Sequence, residues 1–101
     1  MISSLMQWLE KRRGLRQLWK ADAQMLVERD ERNAYYTAQR LAARSRVAGD
    51  QTSFFHWTKV ASEIARRSPL AEMDFSIVEE IVAEEFKKSS RIRKGPVSGT
   101  S

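Results

Sequence analysis

Cysteine is absent from the sequence, which excludes disulfide bonds, thiol catalysis and zinc sites built on thiolates. Glycine and proline are scarce, with four and two copies in 101 residues. Because an all-β protein must turn at short intervals, this scarcity argues against a sandwich or a barrel. The abundant residues are instead Ala, Arg, Glu, Leu and Lys, which favour helices. The composition therefore predicts an all-α protein with a single helical domain.

Long apolar runs are also missing, and none approaches the roughly 18 residues that a transmembrane helix requires. The positive cluster at residues 11–13 follows the first apolar residues instead of preceding them, unlike a secretory signal peptide. We therefore expect a cytoplasmic protein with no transmembrane segment. Apolar residues followed by a basic cluster leave open a weak contact of residues 1–20 with a membrane surface.

The sequence also lacks a recognisable catalytic set. His56 is the single histidine, and no nucleophile elbow accompanies it. The glycines are isolated, so no phosphate-binding loop is formed. The glutamates at 79, 80, 84 and 85 lack the Glu-x-x-His pairs of a di-metal bundle. We expect no enzyme, no cofactor and no metal site.

The clearest helix of the chain is predicted over residues 51–67. Gly49 suits the left-handed residue that closes a preceding helix, and Asp50 suits the N-cap of the next. Ser68-Pro69 ends the helix, because a residue before proline is pushed out of the α region. One apolar face follows helical spacing and comprises Phe54, Trp57, Val60, Ala61 and Ile64.

Two other long helices are predicted, over residues 15–47 and 75–88. Residues 15–47 contain neither glycine nor proline and are read as one helix, with a bend near residues 28–33 as the alternative. Ser76 and Glu79 form a capping box at the start of the third helix. Residues 1–14 are expected to form a short amphipathic helix, and residues 89–101 a disordered basic tail.

These elements predict a small bundle of three principal helices with an antiparallel central hairpin, because the turn at residues 48–50 is short. The expected core draws on all three helices and comprises Leu18, Trp19, Leu26, Ala38, Leu41, Phe54, Trp57, Val60, Ala61, Ile64, Ile77, Ile81 and Val82.

Charge is distributed unevenly around a net value of +5. Residues 69–86 carry six acids and no base, whereas residues 87–101 carry five bases and no acid. The acidic helix is therefore expected to pair with a basic end, within the chain or between chains. Glu85 falls inside the apolar face of this helix, so we expect it to pair with an arginine, unless the helix frays before it.

Phe55 is the leading candidate for a binding residue. It points away from the apolar face of its helix, among Lys59, Ser62 and Arg66. Either a neighbouring helix covers this aromatic ring, or it is a binding hot spot flanked by basic groups. The expected partner-binding residues combine surplus aromatics with nearby bases and are Phe55, Lys59, Arg66, Tyr36 and Trp8.

A nucleic-acid interface is the alternative function, because arginines near the basic N-terminus and along the hairpin can contact phosphates. The residues concerned are Arg12, Arg13, Arg40, Arg44, Arg66 and Arg67. No helix combines a compact basic face with the glycine-bearing turn of a helix-turn-helix. The preferred interpretation is a non-catalytic module that binds a protein partner or forms a homodimer.

One resemblance concerns the hairpin. The turn at residues 48–50, the helix with Trp57 and Ala61, and the closing Ser68-Pro69 are similar to one helical hairpin of a tetratricopeptide repeat. The likeness covers about a third of the chain, and at least three such repeats are usually needed for a stable array. We read it as shared hairpin geometry, without a family assignment.

Overall fold

A computed structural model describes the backbone of residues 2–100 and the side chains of residues 11 and 13–90. The chain forms four helices, α1 (Ile2–Asp30), α2 (Ala34–Val47), α3 (Gln51–Arg67) and α4 (Phe75–Thr100), and residues 2–100 contain no strand. The all-α prediction is confirmed. In the part of the chain that the structure describes, no helix has a stretch both long and apolar enough to cross a membrane.

The predicted single helix over residues 15–47 is wrong, because residues 31–33 form a turn between α1 and α2. The alternative prediction, a bend near residues 28–33, agrees with the position of this turn. Asn33 has φ −103° and ψ 4° and is the N-cap residue of α2. Its Nδ2 donates to Asp30 Oδ2 at 2.9 Å. Such local side-chain bonds compete with the helical ladder and locally favour a turn.

The separate short helix expected at residues 1–14 is not confirmed, because α1 runs without interruption from Ile2 to Asp30. Gly14 costs a helix only about 1 kcal/mol relative to alanine, which is too little to end it. The expected disordered tail is not confirmed either, since α4 continues through residues 89–100 as helix.

The bounds of α3 match the prediction, and local chemistry sets both ends. Gly49 has φ 77°, the left-handed conformation expected for it. Asp50 is the N-cap, and its Oδ1 accepts from the Ser53 backbone N–H at 3.0 Å. Ser68, before proline, is extended at φ −104° and ψ 117° and ends the helix.

The apolar core lies where α1, α2 and α3 meet. It is rich in alanine, which lets the helices approach closely, and comprises Ala23, Leu26, Ala34, Ala38, Val60, Ala61, Ile64 and Ala71. Trp19 and Trp57 pack against it from partly buried positions. At one end of the hairpin Arg46 stacks on Phe54, and at the other Ser68 Oγ donates to Glu31, so α2 and α3 run antiparallel.

The expected core is only partly the observed one. The prediction that Leu18 belongs to the core is wrong, because this residue is exposed on α1. Residues that are only half buried are Trp19, Leu41, Phe54, Trp57, Ile77 and Val82. Residues that are buried as expected are Leu26, Ala38, Val60, Ala61, Ile64 and Ile81. The differences are spread over all four helices.

Helix α4 packs on α2 and on no other helix of the described chain, whereas α2 contacts all three others. The α2–α4 interface is centred on Glu85, which is only 6% exposed. Its carboxylate accepts from Arg40 Nη1 at 2.7 Å and from Arg44 Nε at 3.2 Å. Arg40 also donates to Glu84 at 2.9 Å. Glu85 therefore pairs with arginines, which was one of the two expectations for this residue. Both arginines belong to α2.

Candidate functional site: a basic aromatic groove

A groove lies between α1 and α3, with a volume of about 510 Å³. Helical spacing places the lining side chains of each helix on one face. The three α1 residues lie at positions i, i+3 and i+4, and α3 contributes residues spaced four positions apart. We call this the α1–α3 groove, and its lining residues are Arg16, Trp19, Lys20, Phe55, Lys59, Ser62, Glu63 and Arg66.

Two aromatic rings and one lysine form the centre of the groove. The Trp19 and Phe55 rings meet edge to face, with centroids 5.8 Å apart and planes at 69°. Lys59 Nζ lies 5.6 Å from the Trp19 ring centroid and 5.3 Å from that of Phe55. Such cation–π contacts stabilise exposed sites by about 0.5–1 kcal/mol each. The lysine is therefore held over both rings before any partner arrives.

Phe55 remains 51% exposed despite this contact. Two alternatives were expected for Phe55: a neighbouring helix covers its ring, or the ring is a binding hot spot. In the structure, a neighbouring helix covers the ring only in part. Trp19 of α1 shields one edge of the ring, and α4 does not contact α3. A half-exposed aromatic ring beside positive charge is typical of an interface anchor.

Positive charge dominates the groove. Arg16, Lys20, Lys59 and Arg66 line it, against the single acid Glu63. Glu63 accepts from Arg66 Nη2 at 2.7 Å. Burial raises the pKa of the Glu63 carboxyl, but the hydrogen bonds and charges of Arg66 and then Arg67 outweigh it, so this pKa lies below its usual value. Glu63 is thus ionised near neutral pH, and the lining keeps a net positive charge.

A hydrogen bond joins α1 to α3. His56 Nε2 lies 2.7 Å from Asp22 Oδ2, and both side chains are partly buried. The His56 ring also meets the Trp57 ring edge to face at 4.9 Å. This polar contact explains why Asp22 interrupts the apolar residues of α1. It lies one helical turn from Trp19, so it helps set that ring beside Phe55.

The Trp19 ring carries an unused hydrogen-bond donor. Among the described side chains, its Nε1 is the one buried nitrogen or oxygen without a hydrogen-bond partner. A buried N–H that lacks an acceptor costs about 1–3 kcal/mol. The groove wall is therefore not optimised for stability alone.

Three of the expected partner-binding residues come together in the groove, namely Phe55, Lys59 and Arg66. Tyr36 does not, because it is buried in α2. Its hydroxyl accepts from the Asp74 backbone N–H at 2.8 Å, where the chain enters α4. Its role is structural. Trp8 lies outside the side chains that the structure describes.

Four of the six arginines of the alternative interface pair with acids in the described part of the chain. Arg40 and Arg44 pair with acids of α4, and Arg66 and Arg67 pair with Glu63. Arg13 is exposed on α1, and the Arg12 side chain lies outside the described part. The predicted membrane contact of residues 1–20 falls largely on undescribed side chains and stays a prediction.

Sequence reasoning missed the α1 wall of the groove. Trp19 was assigned to the core, and Arg16 and Lys20 were not singled out. The sequence contained one signal for this wall, namely two basic residues four positions apart that flank a tryptophan on one helical face. That signal does not reveal which helix faces α3, so it could not have located the groove.

No group of three or more His, Asp or Glu side chains in the described residues is arranged to hold a metal ion. No protein-family model, curated protein or solved structure matches the chain. The functional argument therefore starts from the chemistry of the groove.

Proposed function

We propose that this protein is a small non-catalytic helical module that binds an acidic segment of a protein partner in the α1–α3 groove. The observation that carries the proposal is the half-exposed Phe55 ring, held beside Trp19 and under Lys59. An aromatic ring of this kind gains binding energy when a partner buries it. The shared core of α1, α2 and α3 holds both walls in place.

The acidity of the proposed partner follows from charge complementarity. Four basic side chains surround the aromatic centre, and the one acid is already paired. When a positive surface meets a negative one, the complementary charges favour the correct partner over others and increase the rate of association. A peptide with acidic residues around one aromatic or large aliphatic side chain fits these requirements.

Selection from a displayed library of random peptides tests the proposal. Peptides are selected on the full chain and counter-selected on its Lys59→Glu variant, which reverses the charge at the centre of the groove. We expect enriched peptides to be rich in Asp and Glu around one large apolar residue. Their affinity, measured by fluorescence polarisation, should fall at least about tenfold in Lys59→Glu and in Phe55→Ala, which corresponds to about 1.4 kcal/mol.

Matched variants outside the groove serve as controls. Lys87→Glu makes the same charge change on an exposed residue of α4, and Phe86→Ala removes an exposed aromatic ring of α4 that does not line the groove. Both should bind the selected peptides as the unmodified chain does. Enrichment of uncharged peptides, or equal binding by the groove variants, contradicts the proposal. If single-stranded oligonucleotides bind the groove with a marked salt dependence and peptides do not, the nucleic-acid alternative replaces it.

A further inference from the structure

We infer that the occupant of the α1–α3 groove is the segment of residues 70–80 from a second copy of this chain. The inference rests on the proposed function, because it names the partner of the same groove. It joins two surfaces of the fold, the basic aromatic groove and an exposed acidic and apolar segment.

The first element of the inference is an exposed apolar set where α3 leads into α4. Leu70 is 67% exposed and Phe75 is 74% exposed, and Met73 lies exposed between them. Isolated exposed apolar residues are ordinary, but three within six positions of one connecting segment form a local cluster. These side chains supply the aromatic and aliphatic anchors that the groove requires.

The second element is the charge of the same segment. Glu72, Asp74, Glu79 and Glu80 are all exposed, and residues 69–86 contain no base. Among the described side chains, neither Glu79 nor Glu80 forms a salt bridge, and the Glu72–Arg32 pair is a long, exposed contact of 3.6 Å. Acids around exposed apolar residues complement a groove of bases around exposed aromatics.

The backbone of the segment is fixed, so its side chains are presented at little entropic cost. The Glu72 N–H donates to the Arg32 carbonyl at 2.9 Å, and the Asp74 N–H donates to the Tyr36 hydroxyl at 2.8 Å. Ala71, directly before Glu72, is buried in the core cluster. Asp74 then accepts from the Ser76 N–H at 2.9 Å at the start of α4.

The same contacts prevent the segment from filling its own groove. They hold it beside the N-terminal end of α2, whereas Phe55 lies roughly 18 Å back along α3 from the end of that helix. To reach its own Phe55, the segment would have to give up the Arg32 and Tyr36 hydrogen bonds and expose Ala71. A second copy meets the groove without this loss.

The contact joins two different surfaces, so it forms either a reciprocal dimer or an open chain of molecules. The test uses two variants of the full chain. Lys59→Glu damages the groove and keeps the segment, while Phe75→Ala damages the segment and keeps the groove. Molar mass is measured by sedimentation equilibrium over a series of protein concentrations, at low and at high salt.

For the unmodified chain, we expect the molar mass to rise with concentration and to fall again in high salt, because salt screens exposed charges. Each variant alone should associate at least about tenfold more weakly. An equimolar mixture should recover a complex of the two variants, since an intact groove then meets an intact segment. Lys87→Glu should associate as the unmodified chain does, and circular dichroism checks that every variant is folded.

A chain that stays monomeric at all concentrations overturns the inference, as does self-association that both variants retain. Failure of the mixture to recover a complex also overturns it, as does unweakened self-association of Phe75→Ala, which a contact between two grooves predicts. The proposed function is judged separately by the selected peptides. If they bind the groove of a monomeric chain, the proposed function stands without the inference, and if they bind elsewhere or not at all, the proposed function fails.

Discussion

The apolar core of α1, α2 and α3 and the α2–α4 interface are held together by different forces. In the core, Val60 and Ile64 are fully buried among alanines. At the interface, α4 buries the apolar Ile81 and also the carboxylate of Glu85, which is bound by arginines of α2. Apolar burial is non-directional and depends little on pH, whereas a buried charge depends on its partners and on its protonation.

Helix α4 is attached to the apolar core of α1, α2 and α3 but contributes no residue to it. None of the residues in the core cluster belongs to α4, and α2 is the sole helix that α4 contacts within the described chain. Because α4 lies outside the core cluster, it can separate without unfolding the rest, as locally unfolding units do. The segment that carries Phe75 leads directly into this helix, so its presentation depends on the docking of α4.

The largest expected effect comes from the core. Ile64→Ala removes a fully buried side chain and should lower the free energy of unfolding by about 2–5 kcal/mol, through lost burial and the cavity left behind. Urea denaturation followed by circular dichroism measures it. Leu70→Ala, at an exposed site, is the control and should change stability by less than about 0.5 kcal/mol. Similar losses in both variants would show that Ile64 is not a core residue.

The next effect is local to α4. Glu85→Gln removes the charge that faces Arg40 and Arg44, and should destabilise α4 docking by about 2 kcal/mol, since these arginines are partly exposed and regain water. Native-state hydrogen exchange should show lost protection for α4 amides and unchanged protection for α3. Glu80→Gln, at an exposed unpaired site, is the control. Equal loss of protection in α3 would mean that α4 and the core unfold together.

Acid should act on the same interface. Burial raises the pKa of Glu85, but the Arg40 hydrogen bond, then the charge and hydrogen bond of Arg44, outweigh it, so this pKa lies below its ordinary value. A carboxyl with a depressed folded-state pKa stabilises the protein above its unfolded pKa, about 4.3, and that stability is lost as pH falls through the folded value.

The α4 amides should therefore lose exchange protection below about pH 4, before those of α3. Asp50, Glu63 and Asp74 also have lowered pKa values, each with its own hydrogen bonds to backbone, serine or arginine. Comparison with Glu85→Gln separates their contribution. The stability difference between neutral and acid pH should be smaller in that variant, and an unchanged difference would exclude Glu85 as the source.

The smallest expected effect is at the junction of the two regions. Tyr36→Phe removes the acceptor for the Asp74 N–H and should cost about 1 kcal/mol, because that donor loses its partner beside a buried ring. Tyr35→Phe is the matched control, since its hydroxyl bonds only to Gln39 of the same helix. Thermal unfolding of both variants tests the difference. A larger loss in Tyr35→Phe would contradict the assigned roles.

The all-helical character and both ends of α3 follow from local chemistry, and sequence reasoning found them. Gly49, Asp50 and the Ser68-Pro69 pair set the ends of α3 through bonds and sterics within a few residues. Helical spacing alone placed Phe55, Lys59 and Arg66 on one face. The turn at residues 31–33 was not foreseen as the main interpretation, because no glycine or proline marks it.

The groove, in contrast, depends on how the helices pair. Whether Tyr35 or Tyr36 is buried is decided by the approach of the chain that leads into α4, and the position of Trp19 is decided by the contact of Asp22 with His56. These contacts join residues more than thirty positions apart. The sequence by itself determined the helical character of the chain, the two ends of α3 and its basic face. Tertiary packing decided that α1 completes the groove and that arginines of α2 pair with Glu84 and Glu85 of α4, because side chains on separate helices meet only once their faces are buried together.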